Sequence, residues 1–434
     1  MNANRSRYLT RPIRALLAIA LCVAGIPAAV AGTNAALPGE ILVKLRTTGA
    51  LAPLLHKYPL GVMDQFGTRP IYRLQVAGTA TVKETIAALR LEVDVLIAER
   101  NVVHSSPEAR RNLVWAIGDP QNYTAQWAPA AMGLPEAHRL STGAGVKVAV
   151  LDTGVDRTHP ALATRLLAGF DFVDFDHDPS EGSAAGVGFG HGTHVAGLVA
   201  MVAPDAAIMP LRVLDSNGQG NAWVLAEALL YAVDPDGNPD TDDGAQVINM
   251  SLGSPGRMRL FDTVAQLVTC TVPEVIDPAN DLSDPGYDRD KARCSKFGGA
   301  VIVAAAGNDA SVSVREYPAA EGAYGLIAVA ASRAHSRLAS FTNYGRWIDL
   351  AAPGAGITSS IPGGGFGTWS GTSMAAPLVA GTAALLLELD PGLTPDGVAR
   401  RLVRRGAPLC DTALRQIDAA SALLDRVPAA ITCP

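Results

Sequence analysis

The stretch Val148-Ala-Val-Leu-Asp-Thr-Gly-Val155 decides the fold of this chain. Its apolar residues do not alternate with polar ones, which is typical of a strand that is buried on both faces of a parallel sheet. Two more segments, Gly190-His-Gly-Thr-His-Val-Ala-Gly197 and Gly371-Thr-Ser-Met-Ala-Ala-Pro377, each lie where a helix is predicted to begin. In chain order the segments offer an aspartate, a histidine and a serine, which are the side chains of nucleophilic acyl transfer.

Strands and helices alternate around these segments. Such alternation predicts an α/β fold with a mainly parallel sheet and helices on both faces. In sheets of this kind active sites gather at the carboxyl ends of the strands. Asp152 and Asn308 both follow predicted strands. The predicted strands are 146–151, 208–214, 247–250, 300–305 and 326–330, and the predicted helices are 194–202, 223–233, 261–268, 372–389 and 395–405.

A smaller unit precedes this pattern, from Gly39 to about Ser106. Predicted strands at 41–45, 71–76 and 95–103 and a helix at 81–91 indicate a small α+β sandwich. Thr81 and Glu84 have the spacing of a capping box at the start of that helix. The polar, proline-containing segment 105–126 is predicted to be a linker.

Composition limits the classes of protein to consider. The chain has 434 residues, so two or more units are expected. With 48% hydrophobic residues, 5% aromatic residues and 43 glycines, it is a globular chain with an aliphatic core and many tight turns. The net charge of −6 argues against a nucleic-acid-binding surface. The apolar stretch 378–389 is interrupted by polar residues and is predicted to be a buried core helix and not a membrane span. We expect the mature protein to be a monomer that is not associated with a membrane.

Residues 1–31 are predicted to be a secretory signal peptide. Four arginines are followed by the apolar run Ala15–Ile26, which is too short to span a bilayer comfortably, and by the small-x-small site Ala29-Val30-Ala31. The mature protein is therefore expected to be secreted or periplasmic. A membrane anchor is the alternative, and a lipoprotein site at Cys22 is disfavoured by the bulky Leu21 before it.

Four cysteines remain after removal of this segment, and an even number in an exported chain favours two disulfides. Four cysteines allow three pairings. The pairing Cys270–Cys294 with Cys410–Cys433 closes the shortest loops and is preferred here. Buried free thiols are the alternative.

The three opening segments resemble the signature motifs of the subtilisin-like serine proteases, the subtilases. The similarity runs from about Asn122 to Ala420. It implies that Asp152 is the orienting carboxylate, His191 the general base and acid, and Ser373 the nucleophile. Taken singly, these residues could be a turn former, a structural histidine and a helix cap, but their order and neighbours disfavour that interpretation.

Two further segments resemble the oxyanion-hole and substrate-binding motifs of the family. Ala304-Ala-Ala-Gly-Asn308 implies that Asn308 donates to the oxyanion. Ser251-Leu252-Gly253 resembles the segment that binds an extended substrate by strand addition. Tyr317-Pro318 aligns with the base of the specificity pocket, so Glu316 falls where many relatives carry a small neutral residue. A carboxylate there would attract lysine or arginine. The alternative is that Glu316 faces solvent and pairs with Arg315.

Two acidic loops suggest calcium, and no catalytic cofactor is expected. The loop 171–178 resembles a calcium loop of thermitase-like subtilases. That resemblance implies coordination by the side chains of Asp171, Asp174 and Asp176 and by the carbonyl of Asp178. The loop 234–243 also carries many carboxylates, but we interpret it as a solvated acidic turn.

The unit before the catalytic domain resembles the propeptide of these proteases. The resemblance implies a small α+β ferredoxin-like fold for this unit, and it implies that the unit assists folding and inhibits the enzyme. We assign residues 32–110 to this propeptide domain and 111–434 to the peptidase domain, with self-cleavage between Ser105 and Asn122. The segment Pro273–Lys296 is predicted to be a surface loop clamped by the flanking cysteines. The expected function is a secreted serine endopeptidase that acts on protein or peptide substrates. The alternatives are a narrow processing protease for a dedicated partner and a catalytically silent binding protein.

Overall fold

A computed structural model describes residues 35–271, 285–430 and 433. The predicted signal peptide and the first part of the predicted loop at 273–296 therefore lie outside the described residues.

The N-terminal unit has the strand order of a ferredoxin-like fold. Its strands and helices follow the chain order βαββαβ, and the strands pair in the order β2-β3-β1-β4 with every pair antiparallel. The capping box at Thr81 is present, because the Thr81 hydroxyl accepts from the backbone N–H of Glu84 and the Glu84 carboxylate accepts from the N–H of Thr81. The elements are β1 (Ala36–Leu45), α1 (Leu51–Lys57), β2 (Leu60–Gln65), β3 (Ile71–Val76), α2 (Val82–Leu89) and β4 (Val95–Ser105).

The second unit alternates strands and helices as predicted. Its first elements are β5 (Ala116–Ile117), α3 (Asn122–Ala125), α4 (Trp127–Ala131), α5 (Leu134–Ala137), β6 (Lys147–Asp152), β7 (Phe170–Asp171), α6 (His191–Val202), β8 (Ala207–Arg212), β9 (Gln219–Asn221), α7 (Ala222–Val233), β10 (Val247–Met250) and α8 (Arg259–Thr269). They are followed by α9 (Pro285–Phe297), β11 (Val301–Ala305), β12 (Leu326–Arg333), β13 (Arg337–Leu338), β14 (Leu350–Pro353), β15 (Ile357–Ile361), β16 (Gly365–Trp369), α10 (Thr372–Leu389), α11 (Pro395–Arg404), β17 (Ala407–Pro408), β18 (Arg415–Gln416) and α12 (Ala419–Leu423).

A mainly parallel sheet forms the centre of this unit. Seven of its strands run in the order β14-β12-β11-β10-β6-β8-β7, with β7 at the edge, and all of these pairs are parallel. Side chains alternate between two apolar cores along each strand. Val148 and Val150 face the core formed with α6 and α10, while Ala149 and Leu151 face the core formed with α7 and α8. Burial on both faces explains why these strands show no polar alternation.

Helix α10 is the central helix of one of these cores, as the sequence predicts. It is the one helix among the described residues that is long and apolar enough to cross a membrane, and 89% of its apolar window is buried inside the protein. Its neighbour α6 is buried along its whole length. The two helices hold the predicted serine and histidine at their first turns.

The preferred disulfide pairing is confirmed, with Cys270 joined to Cys294 and Cys410 joined to Cys433. The predicted loop at 273–296 is wrong for its second half, because Pro285–Phe297 is the helix α9. A proline is well tolerated in the first turn of a helix, where its missing N–H is not needed.

The two units are joined by main-chain and side-chain contacts. Strand β4 pairs antiparallel with β9, so that one sheet contains strands of both units. In addition, the Glu99 carboxylate on β4 accepts hydrogen bonds from the backbone N–H groups of Arg259 and Leu260 at 2.9 Å. These N–H groups belong to the first turn of α8, so the carboxylate accepts hydrogen bonds from donors that have no partner within the helix.

Candidate active site

Asp152 and His191 are held next to each other by a strand end and a helix start. Asp152 is the last residue of β6 and His191 is the first residue of α6. His191 Nδ1 donates to Asp152 Oδ1 at 2.7 Å, and both side chains are buried. The same carboxylate oxygen accepts from the backbone N–H of Thr153, which fixes its orientation. The arrangement holds the imidazole ring with Nε2 directed away from the aspartate.

Ser373 is the second residue of α10 and is buried. Its carbonyl accepts from the Ser251 hydroxyl at 2.9 Å, which ties the start of α10 to the segment after β10. Gly371, just before the helix, keeps the space beside the serine free. A Cβ there would lie 1.7 Å from a carboxylate oxygen of Glu108. Any larger residue at this position would therefore fill the space in front of the nucleophile.

Asn308 follows β11 after Gly307 and directs its amide N–H groups at the same space. Its Oδ1 accepts from the backbone N–H and the hydroxyl of Thr372, at 2.9 and 3.0 Å. Because Thr372 binds Oδ1 of Asn308 on one side, Nδ2 of Asn308 is directed to the other side, towards Ser373. An uncharged donor in this position can stabilise a developing oxyanion.

The space enclosed by these groups is occupied by Glu108, which belongs to the segment after β4. Its Oε2 accepts from Ser373 Oγ at 2.6 Å and from His191 Nε2 at 3.1 Å, and its Oε1 accepts from Asn308 Nδ2 at 2.7 Å. The Glu108 side chain is fully buried. The carboxyl group thus takes the position that a reacting carbonyl group would need, with one oxygen at the amide donor and its carbon near the hydroxyl.

The charges of this cluster are strongly coupled. Burial lowers the pKa of His191, but the carboxylates of Asp152 and Glu108 outweigh burial and raise this pKa to about 10. Burial raises the pKa of Glu108, but the charge and hydrogen bond of His191, together with Ser373 and Asn308, bring it below its ordinary value. These shifts favour a protonated His191 beside a charged Glu108 carboxylate while Glu108 is in place.

An extended strand lies beside the site, as strand addition requires. Ser105 exchanges two backbone hydrogen bonds with Gly253, at 2.9 and 3.0 Å. On its other side β4 pairs with β9, with Val103 opposite Asn221 and Ser105 opposite Gln219. The predicted Ser251-Leu252-Gly253 segment therefore binds a strand, and the strand comes from the N-terminal unit of the same chain.

Glu316 is buried next to this strand-binding segment, and it does not face solvent or pair with Arg315. A Cβ on Gly253 would lie 2.6 Å from its Cγ, and a Cβ on Gly307 would lie 3.2 Å from its Oε2. Its Oε1 accepts from Arg110 Nη2 at 2.8 Å. Burial raises the pKa of Glu316 to about 7, although the charge of Arg110 opposes that rise.

The carboxylates of the predicted calcium loop, Asp171, Asp174, Asp176 and Asp178, contact protein partners in the structure. Arg212 Nη1 lies 2.5 Å from an oxygen of Asp171 and 2.5 Å from an oxygen of Asp174, so a guanidinium already neutralises this pair. The carboxylate of Asp176 accepts from the backbone of Asp178, and that of Asp178 accepts from Ser180. At Asp171 and Asp174 the guanidinium of Arg212 supplies the positive charge that a calcium ion would otherwise bring.

The second acidic loop is the better match for a metal. Asp234, Asp236 and Asp243 offer carboxylate oxygens that lie within 4.8 Å of one another, a grouping that the interpretation as a solvated turn does not predict. Within the part of the chain that the structure describes, neither oxygen of the buried Asp234 accepts a hydrogen bond, nor does Oδ1 of Asp243, although Arg289 Nε lies 3.4 Å from Asp234 Oδ2. Burial and the neighbouring Asp236 raise the pKa of Asp243 to about 6.

Several residues at the site are not predicted from the sequence. Glu108 and Arg110 lie in the predicted linker, where no periodicity or motif distinguishes them. Glu181, whose carboxylate accepts from Thr193 and from the Thr153 hydroxyl, holds the turn after Asp152 to the start of α6. Thr372 orients Asn308, and its place directly before Ser373 is the one sequence signal among these residues.

Comparisons with known proteins agree with this arrangement. The family model described as the subtilase family matches residues 143–419, which is more than half of the chain. The thermophilic serine proteinase of Bacillus sp. (strain AK1) is 37% identical over 296 residues, which are 66% of this chain and 63% of that protein. Thermitase of Thermoactinomyces vulgaris is 37% identical over 279 residues, which are 62% of this chain and 84% of thermitase. The chain thus spans less than two thirds of the length of the Bacillus proteinase.

Solved structures extend the comparison. A cold-adapted subtilisin-like serine proteinase aligns with a TM-score of 0.51 and 30% identity, over 64% of this chain and 90% of its own. Fervidolysin from Fervidobacterium pennivorans, a keratinolytic enzyme related to subtilisin, aligns with a TM-score of 0.67 over 91% of this chain and 62% of its own, at 24% identity. That second likeness concerns the fold, and it extends well beyond the residues of the family match. Taken with the matched segment 143–419, these similarities show that the chain belongs to the subtilase family of serine proteases.

Proposed function

We propose that the protein is a serine endopeptidase that hydrolyses peptide bonds through Asp152, His191 and Ser373. The observation that carries the proposal is the position of the Glu108 carboxylate, which contacts Ser373, His191 and Asn308 at once. Nucleophile, base and oxyanion donor therefore converge on one carboxyl-sized space. A protein that only binds has no need for this convergence.

Each side chain has a defined part in the reaction. The Ser373 hydroxyl attacks the substrate carbonyl, and His191 Nε2 takes the hydroxyl proton and later gives it to the leaving amine. Asp152 holds Nδ1–H and stabilises the imidazolium. Asn308 Nδ2 and the backbone N–H groups that open α10 hold the oxyanion, and the helix dipole adds to this effect. Water then hydrolyses the acyl-enzyme by the same route.

We further propose that the chain is made as an exported zymogen. Residues 32–110 are its inhibitory propeptide, and residues 111–434 are the peptidase. The strand contacts of Ser105 with Gly253 and the burial of Glu108 among the catalytic groups support an inhibitory role. The predicted signal peptide supports a secreted or periplasmic location, and protein or peptide substrates follow from the reaction.

We also propose a structural calcium ion, held by Asp234, Asp236 and Asp243. The oxygens of Asp234 and Oδ1 of Asp243, which accept no hydrogen bond from the described residues, support the site. The ion would stabilise the loop between α7 and β10 and takes no part in the reaction.

A fluorophosphonate probe tests the catalytic proposal. We expect stoichiometric labelling of the processed protein on Ser373, with no labelling of Ser373→Ala. Ser370→Ala is the matched control, because Ser370 lies three residues away and its hydroxyl only accepts from Gly356. A processed, folded protein that resists the probe would show a catalytically silent subtilase fold.

Self-processing is tested on the same variants. Ser373→Ala expressed alone should remain a full-length precursor by intact mass, while Ser370→Ala should be processed like the wild type. Trimming of the Ser373→Ala protein at the normal rate in a protease-deficient host would contradict self-cleavage.

A further inference from the structure

We propose that Glu316 makes arginine the preferred residue before the scissile bond, and that Arg110 of the precursor is the first arginine this carboxylate selects. The proposal rests on the peptidase function proposed above and names its substrate class. It assigns the first cleavage to the bond between Arg110 and Arg111. Its basis is the buried ion pair between Glu316 and Arg110 at 2.8 Å.

Glu316 lies where the side chain of a bound substrate would enter. One neighbour is Gly253, whose backbone binds the extended strand, and the other is Gly307, which directly precedes the oxyanion donor Asn308. Both lack a side chain, and a Cβ on Gly253 would meet the Glu316 carboxylate at 2.6 Å. The carboxylate is therefore bordered by the substrate-binding strand on one side and by the oxyanion segment on the other. A substrate side chain that passes between these glycines meets a negative charge.

The carboxylate needs a cation once it is cut off from water. The Glu316 side chain has no exposed surface, and its Oε2 has no hydrogen-bond partner among the described residues. Arg110 supplies one N–H to Oε1 and is itself 24% exposed. An arginine that enters more deeply has five N–H donors in a planar fork and can satisfy both oxygens, whereas lysine is a point charge with a flexible stem. Arginine should therefore be favoured over lysine, and both over leucine or glutamine.

An apolar substrate side chain would leave this charge buried without a partner, which is strongly unfavourable. Burial raises the pKa of Glu316 to about 7 even with Arg110 nearby, in agreement with a carboxylate that lacks water. The selectivity should accordingly be greatest above pH 7, where the carboxylate is charged, and weaken as the pH falls and the group is protonated.

The occupied pocket also indicates which bond of the precursor is cut. In the structure Glu108, not a peptide carbonyl, is hydrogen-bonded to Ser373 and Asn308. We infer that, once this side chain leaves and the helical turn Ala109–Arg111 extends, the carbonyl of Arg110 takes that place while the guanidinium stays at Glu316. Ser373 Oγ then bonds to the carbonyl carbon of Arg110, and its proton passes through His191 to the amine of Arg111, which leaves. Water releases Arg110 as a free carboxylate and restores the Ser373 hydroxyl.

The first experiment measures kcat/KM of the processed enzyme on peptides that differ only in the residue before the scissile bond. We expect the arginine peptide to exceed the leucine and glutamine peptides at least tenfold, with lysine between them. Glu316→Gln should reduce the ratio of arginine to leucine at least tenfold. The matched control is Glu321→Gln, because Glu321 is also a side chain without exposed surface that pairs with an arginine, Arg257. That variant should keep the ratio.

The second experiment follows processing of the precursor by intact mass and N-terminal sequencing. The wild type should yield an N-terminus at Arg111. Arg110→Gln should slow this cleavage at least tenfold, Arg110→Lys should restore most of the rate, and the exposed Arg111→Gln should leave it unchanged. Equal kcat/KM for arginine and leucine peptides in the wild type overturns the selectivity, and an N-terminus elsewhere overturns the assignment of the bond.

Active-site titration separates this inference from the proposed function. An enzyme that is labelled on Ser373 and digests casein without preferring arginine refutes only the role of Glu316. An enzyme that is not labelled and digests nothing refutes the peptidase itself, and with it the inference.

Discussion

The hydroxyl of Ser373 donates to Oε2 of Glu108 at 2.6 Å, across a separation of 265 residues. The same oxygen accepts from His191 at 3.1 Å. The catalytic base therefore faces a carboxylate and not the hydroxyl that it must deprotonate. Because Glu108 also takes the Asn308 amide, one acidic side chain engages the nucleophile, the base and the oxyanion donor together.

Removal of this carboxylate should accelerate activation. In Glu108→Ala three charge-assisted hydrogen bonds are lost, each worth about 1.5–3 kcal/mol. We expect the precursor to be processed at least about tenfold faster, a change that needs only about 1.4 kcal/mol. The measurement is the fraction of full-length chain against time by mass spectrometry. Glu136→Ala, which removes an exposed carboxylate paired with Arg426, is the control. An unchanged rate in Glu108→Ala would show that the carboxylate does not restrain the site.

Asn308 should act on the reaction rate and not on substrate binding. We expect Asn308→Ala to lower kcat by about 100- to 1,000-fold, the typical loss for one oxyanion donor, with little change in KM. Thr372→Val removes one of the two bonds that orient Asn308 and keeps the backbone donor, so its loss of kcat should be smaller. An increase in KM at constant kcat in Asn308→Ala would assign this residue to substrate binding.

Acidic pH should weaken the binding of β4 to the peptidase unit, because His104 on β4 becomes protonated. This histidine is buried on β4, and neither of its ring nitrogens has a hydrogen-bond partner within residues 35–271 and 285–430. Burial lowers its pKa to about 3, and the charge of Arg110 adds to that effect. A histidine whose pKa is lowered in the attached state stabilises attachment fully above its ordinary pKa of about 6.5, and the contribution falls as the pH drops towards 3. The loss is up to about 1.4 kcal/mol per pH unit.

Hydrogen exchange of residues 95–105 in the Ser373→Ala precursor measures this effect between pH 8 and 4, after correction for intrinsic exchange. Protection of β4 should decrease below pH 6.5 in the parent and much less in a His104→Leu variant of the same precursor. Identical pH profiles for the two proteins would exclude His104 as the cause.

Calcium should stabilise the loop that contains Asp234, Asp236 and Asp243. We expect a chelator to lower the melting temperature of the wild type and to have little effect on Asp243→Asn. The exposed Asp205→Asn is the control and should respond like the wild type. The pKa of Asp243 is raised to about 6, so protons compete with the ion below that pH and the chelator effect should diminish there. A wild-type melting temperature that the chelator does not change would remove the site.

Local patterns predicted much of the fold. Strands 71–76 and 247–250 and helix 372–389 were predicted with the bounds that the structure gives. Strand 247–250 and the helix are buried and therefore mostly apolar, whereas strand 71–76 carries polar residues two positions apart. The capping box at Thr81 was also predictable, since its two partners are three residues apart. For the site, the strand ends indicated Asp152 and Asn308, and the motifs supplied their partners.

Contacts between distant segments were not predictable in this way. Arg212 is hydrogen-bonded to Asp171, which lies 41 residues earlier in the chain. No pattern in the acidic loop predicts that a guanidinium lies among its carboxylates. The convergence of Asp234 with Asp243 depends on how the loop closes. Glu108 and Arg110 lie in a segment without periodicity, and their partners are 265 and 206 residues distant. The acidic, proline-containing composition of 273–296 led to the prediction of a loop. The second half of this segment forms α9, because acidic residues and a proline are compatible with the first turn of a helix.

The sheet that contains both β4 and β9 has a consequence for the timing of activation. A cut after β4 breaks one covalent bond but leaves every hydrogen bond between these strands intact, together with the Glu99 contacts to α8. The cleaved propeptide then remains tightly bound to the peptidase that released it. Active protease should consequently appear after a lag set by the departure or destruction of that fragment. Since each freed enzyme molecule can digest propeptides released by others, the lag should shorten as the protein concentration rises.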